Sequence, residues 1–125
     1  MMAAPGNLIG FVPVTDAERA ASFYGDTLGL EFVKDDGFAM VFRSGGNMVR
    51  LATLNSVTPT AMTILGWETT SIEDAVRALL AKGVVFSRFP YLQQNELGIW
   101  TAPGGDKVAW FTDPDGNVLS LSQHV

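Results

Sequence analysis

The sequence contains no cysteine and a single histidine, His124, one residue before its end. Disulfides and thiolate chemistry are therefore excluded, and a lone histidine at that place reads as a solvated residue rather than a ligand or a base. No apolar run approaches the roughly 20 residues that span a bilayer. The opening MMAAPGNL lacks the basic stretch and apolar run of a signal peptide, so the expected location is cytoplasmic. Basic residues are also few: 8 Lys and Arg stand against 13 Asp and Glu, a net charge of −5. That balance repels nucleic acid and anionic membrane, and neither is expected as a partner.

What is present suits one hydrophobic core: 125 residues, 47% of them apolar, make a single domain over 1–125. Residues 8–14 (LIGFVPV) read as a buried strand ending at a helix start. Thr15-Asp16-Ala17-Glu18 has the form of a capping box. Ala17, Ala20, Ala21, Tyr24 and Leu28 follow at helical spacing, and Gly29 supplies the stop. Three strand-like segments come next, 31–34, 38–43 and 48–54, separated by Asp- and Gly-rich turns.

The same order then recurs. Residues 62–68 read as a strand, Thr70-Ser71-Ile72-Glu73 repeats the capping box, and Ile72, Ala75, Val76, Leu79 and Leu80 form an apolar stripe stopped by Gly83. Further strands are expected at 84–89, 107–112 and 118–123. Thr15 and Glu18 correspond to Thr70 and Glu73 at an offset of 55 residues. The chain is thus read as an α+β protein of two tandem βαβββ modules, residues 7–56 and 60–125. Each module has one helix over one face of its sheet. Two such sheets side by side curl into a half-barrel whose uncovered faces enclose a cavity, a common place for a ligand.

Two stretches carry a family resemblance. One runs from Val14-Thr15-Asp16 through Arg19-Ala20 and Phe23-Tyr24 to Leu28-Gly29-Leu30. The other is Phe111-Thr112-Asp113-Pro114-Asp115-Gly116-Asn117 leading into Leu119-Ser120-Leu121. Together with the repeat they resemble the vicinal-oxygen-chelate superfamily of glyoxalases, bleomycin-resistance proteins and dioxygenases, over nearly the whole chain. The physical reading of these motifs is structural: Asp113-Pro114-Asp115-Gly116 suits a tight turn, and Phe23 and Tyr24 lie on the inner side of a helix.

The resemblance implies four positions where metal-dependent relatives place His, Gln or Glu around a divalent ion that acts as a Lewis acid. Here the first-strand positions are Ile9 and Ile64, and the final-strand position is Ser120. The fourth is Arg50 or Ala52, depending on register. None suits a divalent ion in an oxygen/nitrogen site. No metal, no cofactor and no catalytic residue are assigned, and metal-dependent chemistry is not expected.

Strand alternation nominates the pocket. Ile9, Phe11 and Pro13 face the open side while Leu8, Gly10, Val12 and Val14 go under the helix. Ile64, Gly66 and Glu68 correspond to them, with Arg50, Ala52 and Leu54, and Val118, Ser120 and Ser122, on the neighbouring strands. The candidates are Ile9, Phe11, Arg50, Ala52, Ile64, Glu68, Trp100 and Ser120, a mainly apolar lining. Arg50 meets a ligand carboxylate or carbonyl with Glu68 steering it; alternatively the two pair with each other, or Glu68 sits in water at the rim. Trp67 belongs to the covered face by parity, and one of Trp110 and Phe111 faces the cavity. Trp100 lies in a long connection, 91–106, read as a lid or an arm.

Three classes of function fit. The first is a non-catalytic protein binding a small, largely apolar or aromatic molecule, as in the antibiotic-binding branch. The second is a lyase-, isomerase- or dioxygenase-like enzyme of this superfamily with an unknown substrate, or one with metal-free acid/base chemistry through Glu68, Tyr91 or another pocket group. The third is a scaffold whose pocket is filled by its own side chains. No nucleophile with an adjacent base is visible. A homodimer is expected, by resemblance and because open sheet edges need covering.

Overall fold

A computed structural model describes residues 4–125; residues 1–3, part of the stretch read for a signal peptide, lie outside the described residues. The chain divides into two compact units, 1–58 and 59–125.

In the first unit, β1 (Ile9–Val14) leads to a short helix α1 (Ala17–Ser22), which continues as a π-helical turn over Phe23–Thr27. Then come β2 (Glu31–Asp35), β3 (Ala39–Ser44) and β4 (Asn47–Thr53). The sheet order is β1-β4-β3-β2, with β1 parallel to β4 and the other pairs antiparallel. Val12, Val14, Ala20, Tyr24, Phe42, Val49 and Leu51 are buried, consistent with the alternation read from the sequence. The helix comes close to the sheet at Gly25, where a Cβ would stand 3.2 Å from the Phe42 ring. Gly29, at φ 80°, ends the helical segment as expected.

The second unit repeats this order: β5 (Thr63–Glu68), α2 (Ile72–Ala81), β6 (Trp100–Thr101), β7 (Lys107–Thr112) and β8 (Val118–Gln123). The sheet order is β5-β8-β7-β6, with β5 parallel to β8. Ile72 and Val76 of α2 are buried, as are Ala109, Phe111, Leu119 and Leu121 of the sheet. Gly83, at φ 90°, closes α2: its amide donates to the Leu80 carbonyl and the Val84 amide to that of Leu79. That pair of bonds is a Schellman stop.

Two sequence expectations are corrected. The helix caps are not reciprocal boxes led by Thr15 and Thr70. Asp16 caps α1, its carboxylate accepting the Arg19 amide at 3.0 Å. Ser71 begins α2 without a side-chain cap bond, and Gln123 Oε1 of β8 accepts the Ile72 amide at 2.8 Å instead. Starting one residue later puts Glu18 and Glu73 at the second helical position, one short of where a reciprocal bond forms.

The strand expected at 84–89 is also absent. Its alternation is real, since Val84 and Phe86 are buried and Val85 is exposed. The Ser87 amide reaches the neighbouring strand, donating to the Trp110 carbonyl at 2.8 Å. The Gln94 side chain takes the other bonds: it accepts from the Phe89 amide at 2.8 Å and donates to the Ser87 and Gly98 carbonyls at 2.9 Å each. Pro90, which has no amide to give, follows at once. The two-residue β6 occupies the place beside β7.

The turn before β8 is the tight structure its composition indicates. Asp113 and Asn117 are buried, and the Asp113 carboxylate accepts the amides of Asp115 and Asn117 and the Asn117 side-chain amide, each at 2.9 Å. A buried carboxylate so fully bonded is a structural group.

Candidate functional site

Each unit turns one sheet face toward its helix, and the candidate residues lie on the opposite faces. In the first unit the ladder sets Phe11, Arg50 and Val41 abreast on β1, β4 and β3, and Pro13, Ala52 and Ala39 abreast beside them. Ile9 is abreast of Met48. Ile9 is 51% exposed and Phe11 67% exposed, so this face keeps large apolar groups uncovered.

Arg50 lies at the middle of that face, and its partner differs from the one considered in the sequence. It pairs with Asp36, Nη2 to Oδ2 at 2.7 Å, with both side chains part-buried. Asp36 sits in the turn between β2 and β3, where its Oδ1 also accepts the amides of Phe38 and Ala39 at 2.9 Å each. The turn holds the carboxylate against Arg50 of β4. The Phe38 amide, then the Arg50 guanidinium and the Ala39 amide, lower the Asp36 pKa from 3.8 to about 2. The contact uses one nitrogen of a five-donor fork, which leaves N–H groups for a ligand.

In the second unit, Gly66, Ser120 and Trp110 stand abreast on β5, β8 and β7, with Glu68, Ser122 and Val108 abreast beside them. Phe111 is fully buried and Trp110 half-buried, so Trp110 is the one on the open face. Trp67, expected in the core, is half-buried, and Ile64 is exposed. Trp100 of β6 lies beside Trp110, ring centroids 6.1 Å apart at 35°. Phe89 meets the Trp110 ring edge-on at 5.5 Å, and Tyr91 lies 5.7 Å beyond Phe89. The sequence nominated Trp100 but missed this row, because Phe89 and Tyr91 reach it only through the bracket made by Gln94. Ser120 packs closely against Gly66: a Cβ there would stand 2.7 Å from Ser120 Oγ.

Glu68 is exposed and, with Thr69, Thr70, Gln123 and His124, borders a cavity of about 470 Å³. His124 is not a free tail residue. Its Nε2 lies 3.0 Å from Ser122 Oγ and its Nδ1 3.1 Å from Asp106 Oδ2. The geometry brings a hydroxyl, an imidazole and a carboxylate within hydrogen-bond reach, with His124 and Asp106 both exposed. Asp106, 18 residues away in the chain, gave no local signal of it.

The four family metal positions carry Ile9 and Arg50 or Ala52 in the first unit, and Ile64 and Ser120 in the second. Two alkyl groups, a guanidinium or a methyl, and one hydroxyl do not fit a divalent cation. Among the described residues, no three His, Asp or Glu side chains are grouped to hold a metal ion.

The sequence profile of the Glyoxalase/Bleomycin resistance protein/Dioxygenase superfamily matches residues 7–121. The chain belongs to this superfamily. Solved structures agree with that assignment. A superfamily member from Sphaerobacter thermophilus is 25% identical, with a TM-score of 0.75 over 97% of this chain and 98% of its own. A glyoxalase-family protein from Bacillus anthracis, 17% identical, superposes with a TM-score of 0.77 over 100% of this chain and 99% of its own. Lactoylglutathione lyase from Agrobacterium tumefaciens, also 17% identical, gives 0.73 over 97% and 95%. The last two likenesses speak to the fold alone. No curated protein matches the chain in sequence. In this superfamily member, two isoleucines and a serine occupy positions that the family resemblance assigns to metal ligands.

Proposed function

We propose that this superfamily member binds a small, largely apolar or aromatic molecule without a metal ion, on the sheet faces turned away from the helices. The observation that carries the reading is the row Tyr91–Phe89–Trp110–Trp100, a stacking surface beside the small residues Gly66 and Ser120. Aromatic rings in offset or edge contact make good walls for planar ligands. Ile64, exposed on the same unit, adds apolar surface. On the first unit, Ile9 and Phe11 offer a separate apolar face beside Arg50, whose spare donors suit a carbonyl or carboxylate. A scaffold filled by its own side chains would bury Phe11, which is 67% exposed. We further propose that the protein acts as a cytoplasmic homodimer. No helix among the described residues is long and apolar enough to cross a membrane.

The test is a thermal-shift and tryptophan-quenching screen of aromatic metabolites and cationic antibiotics on chelator-stripped protein, with zinc, nickel, manganese and iron(II) added separately. The expected result is an organic ligand that raises the melting temperature and quenches tryptophan, lost in Trp110→Ala, with no shift from any metal. Uniformly null organic ligands overturn the binding reading. Stoichiometric tight metal binding overturns its metal independence and moves the metal-dependent enzyme reading to first place.

A further inference from the structure

Just past the end of β8 at Gln123, His124 comes back within hydrogen-bond reach of Ser122. The distances there, 3.0 Å from Ser122 Oγ to His124 Nε2 and 3.1 Å from His124 Nδ1 to Asp106 Oδ2, set a hydroxyl, an imidazole and a carboxylate in line. A carboxylate only accepts, so the neutral ring bonded to it carries its proton on Nδ1. Nε2 then holds the lone pair that receives the serine proton.

Asp106 is fixed from two other directions. Its Oδ1 accepts the Val125 amide at 2.9 Å, and its own carbonyl accepts the Ala102 amide at 2.7 Å. The turn between these residues depends on Gly105 at φ 102°, where a Cβ would come within 3.0 Å of the Val125 side chain. The Val125 amide and then the His124 ring hold the Asp106 carboxyl below its ordinary pKa, so it remains the charged orienting partner.

Of Ser122, His124 and Asp106, His124 borders a surface cavity. The cavity of about 470 Å³ is bordered by His124, Gln123, Glu68, Thr69 and Thr70. Glu68 is abreast of Ser122 on the neighbouring strand, and its charge disfavours anionic substrates.

We propose that Ser122, His124 and Asp106 form an acyl-transfer site that hydrolyses small neutral or cationic carboxylic esters. Ser122 Oγ adds to the ester carbonyl carbon as its proton passes to His124 Nε2. The bond from that carbon to the alkoxy oxygen breaks, and the alcohol leaves with the proton. Water then gives a proton to Nε2 and adds to the acyl carbon. The bond to Oγ breaks, and the proton returns to the serine. Ester and water become acid and alcohol, with nothing oxidised or reduced. Ser122 and His124 are the catalytic residues; Asp106 positions the ring and exchanges no proton. The proposal rests on residues other than the aromatic row and stands apart from the ligand reading.

The experiment follows hydrolysis of 4-nitrophenyl acetate, of acetylthiocholine and of an ester with a carboxylate-bearing acyl group, on the full chain. A fluorophosphonate probe is then mapped by peptide mass. The expected result is turnover of the first two esters but not the third, with the phosphonate on Ser122. Ser122→Ala removes turnover and adduct, and His124→Gln lowers kcat about a hundredfold. Asp106→Asn lowers kcat about tenfold or more with KM unchanged, a split that loss of folding would not give. Circular dichroism melts of the three variants confirm that they remain folded. Turnover equal to that of free imidazole, parental turnover in Ser122→Ala, or an adduct mapped elsewhere overturns the proposal.

Discussion

Arg50 and Asp36 show how a single side chain is committed by its surroundings. Fourteen residues apart in the chain, they meet at 2.7 Å because the β2–β3 turn folds the carboxylate back onto β4. Asp36 has its pKa lowered to about 2 from an ordinary 3.8. A carboxylate whose pKa is depressed on folding contributes stability that is present above its unfolded pKa. That stability is lost as pH falls through the folded value. Between about pH 4 and pH 2 the melting temperature should therefore fall for this reason among others. Asp36→Asn lacks that titration, so its melting temperature is expected to be lower at pH 7 but to decline less across the same window. Calorimetric melts of both proteins at pH 7, 4, 3 and 2 make the check; parallel declines would show that the pair contributes nothing to folding.

Elements depend on bonds of this kind as much as on their own pattern. The segment 84–101 alternates like a strand in its first half, yet it is held by Gln94, whose amide serves Phe89, Ser87 and Gly98 together. Asn95 reinforces the bracket, its side chain accepting the amides of Leu97 and Ile99 at 3.0 Å each. Gly98 fits only as glycine, at φ 87° with Phe86 Cβ 3.0 Å from where a Cβ would stand. Replacing Gln94 by Leu leaves three backbone groups without partners, at a cost of roughly 2–4 kcal/mol. Urea melts of Gln94→Leu should show that loss, and limited proteolysis should cut the variant first within 87–98. The same bracket carries Phe89 and Tyr91 to Trp110, so the variant is also expected to bind aromatic ligands more weakly. Unchanged cleavage would show that β6 alone holds the segment.

At the scale of the molecule, the outstanding feature is the apolar surface left open. Leu8, Phe11, Phe32, Phe38 and Met62 are each more than half exposed, while the net charge of −5 is modest. Soluble monomers rarely leave large apolar patches uncovered, and a second copy of the chain is the expected cover. Sedimentation equilibrium should return twice the chain mass of 13.4 kDa. A concentration-independent monomer would instead favour a ligand or a different protein as the cover.

The sequence by itself determined the repeat, the two helices to within a residue of their starts, the glycine stops and the face most strand residues take. These follow from periods of 2 and 3.6 and from turn chemistry, which act over a few residues. It also determined that Ile9, Ile64 and Ser120 bring no metal donor set, since residue type alone settles that. Its failures were places where partners lie far apart in the chain. The amide of Ile72 is capped from β8 by Gln123, Arg50 is taken by Asp36, and a strand is replaced by a side-chain bracket from Gln94. The line Ser122–His124–Asp106 forms only once β8 passes the turn before β7. Local pattern fixes which way a side chain points, whereas strand register and turn closure decide what it meets there.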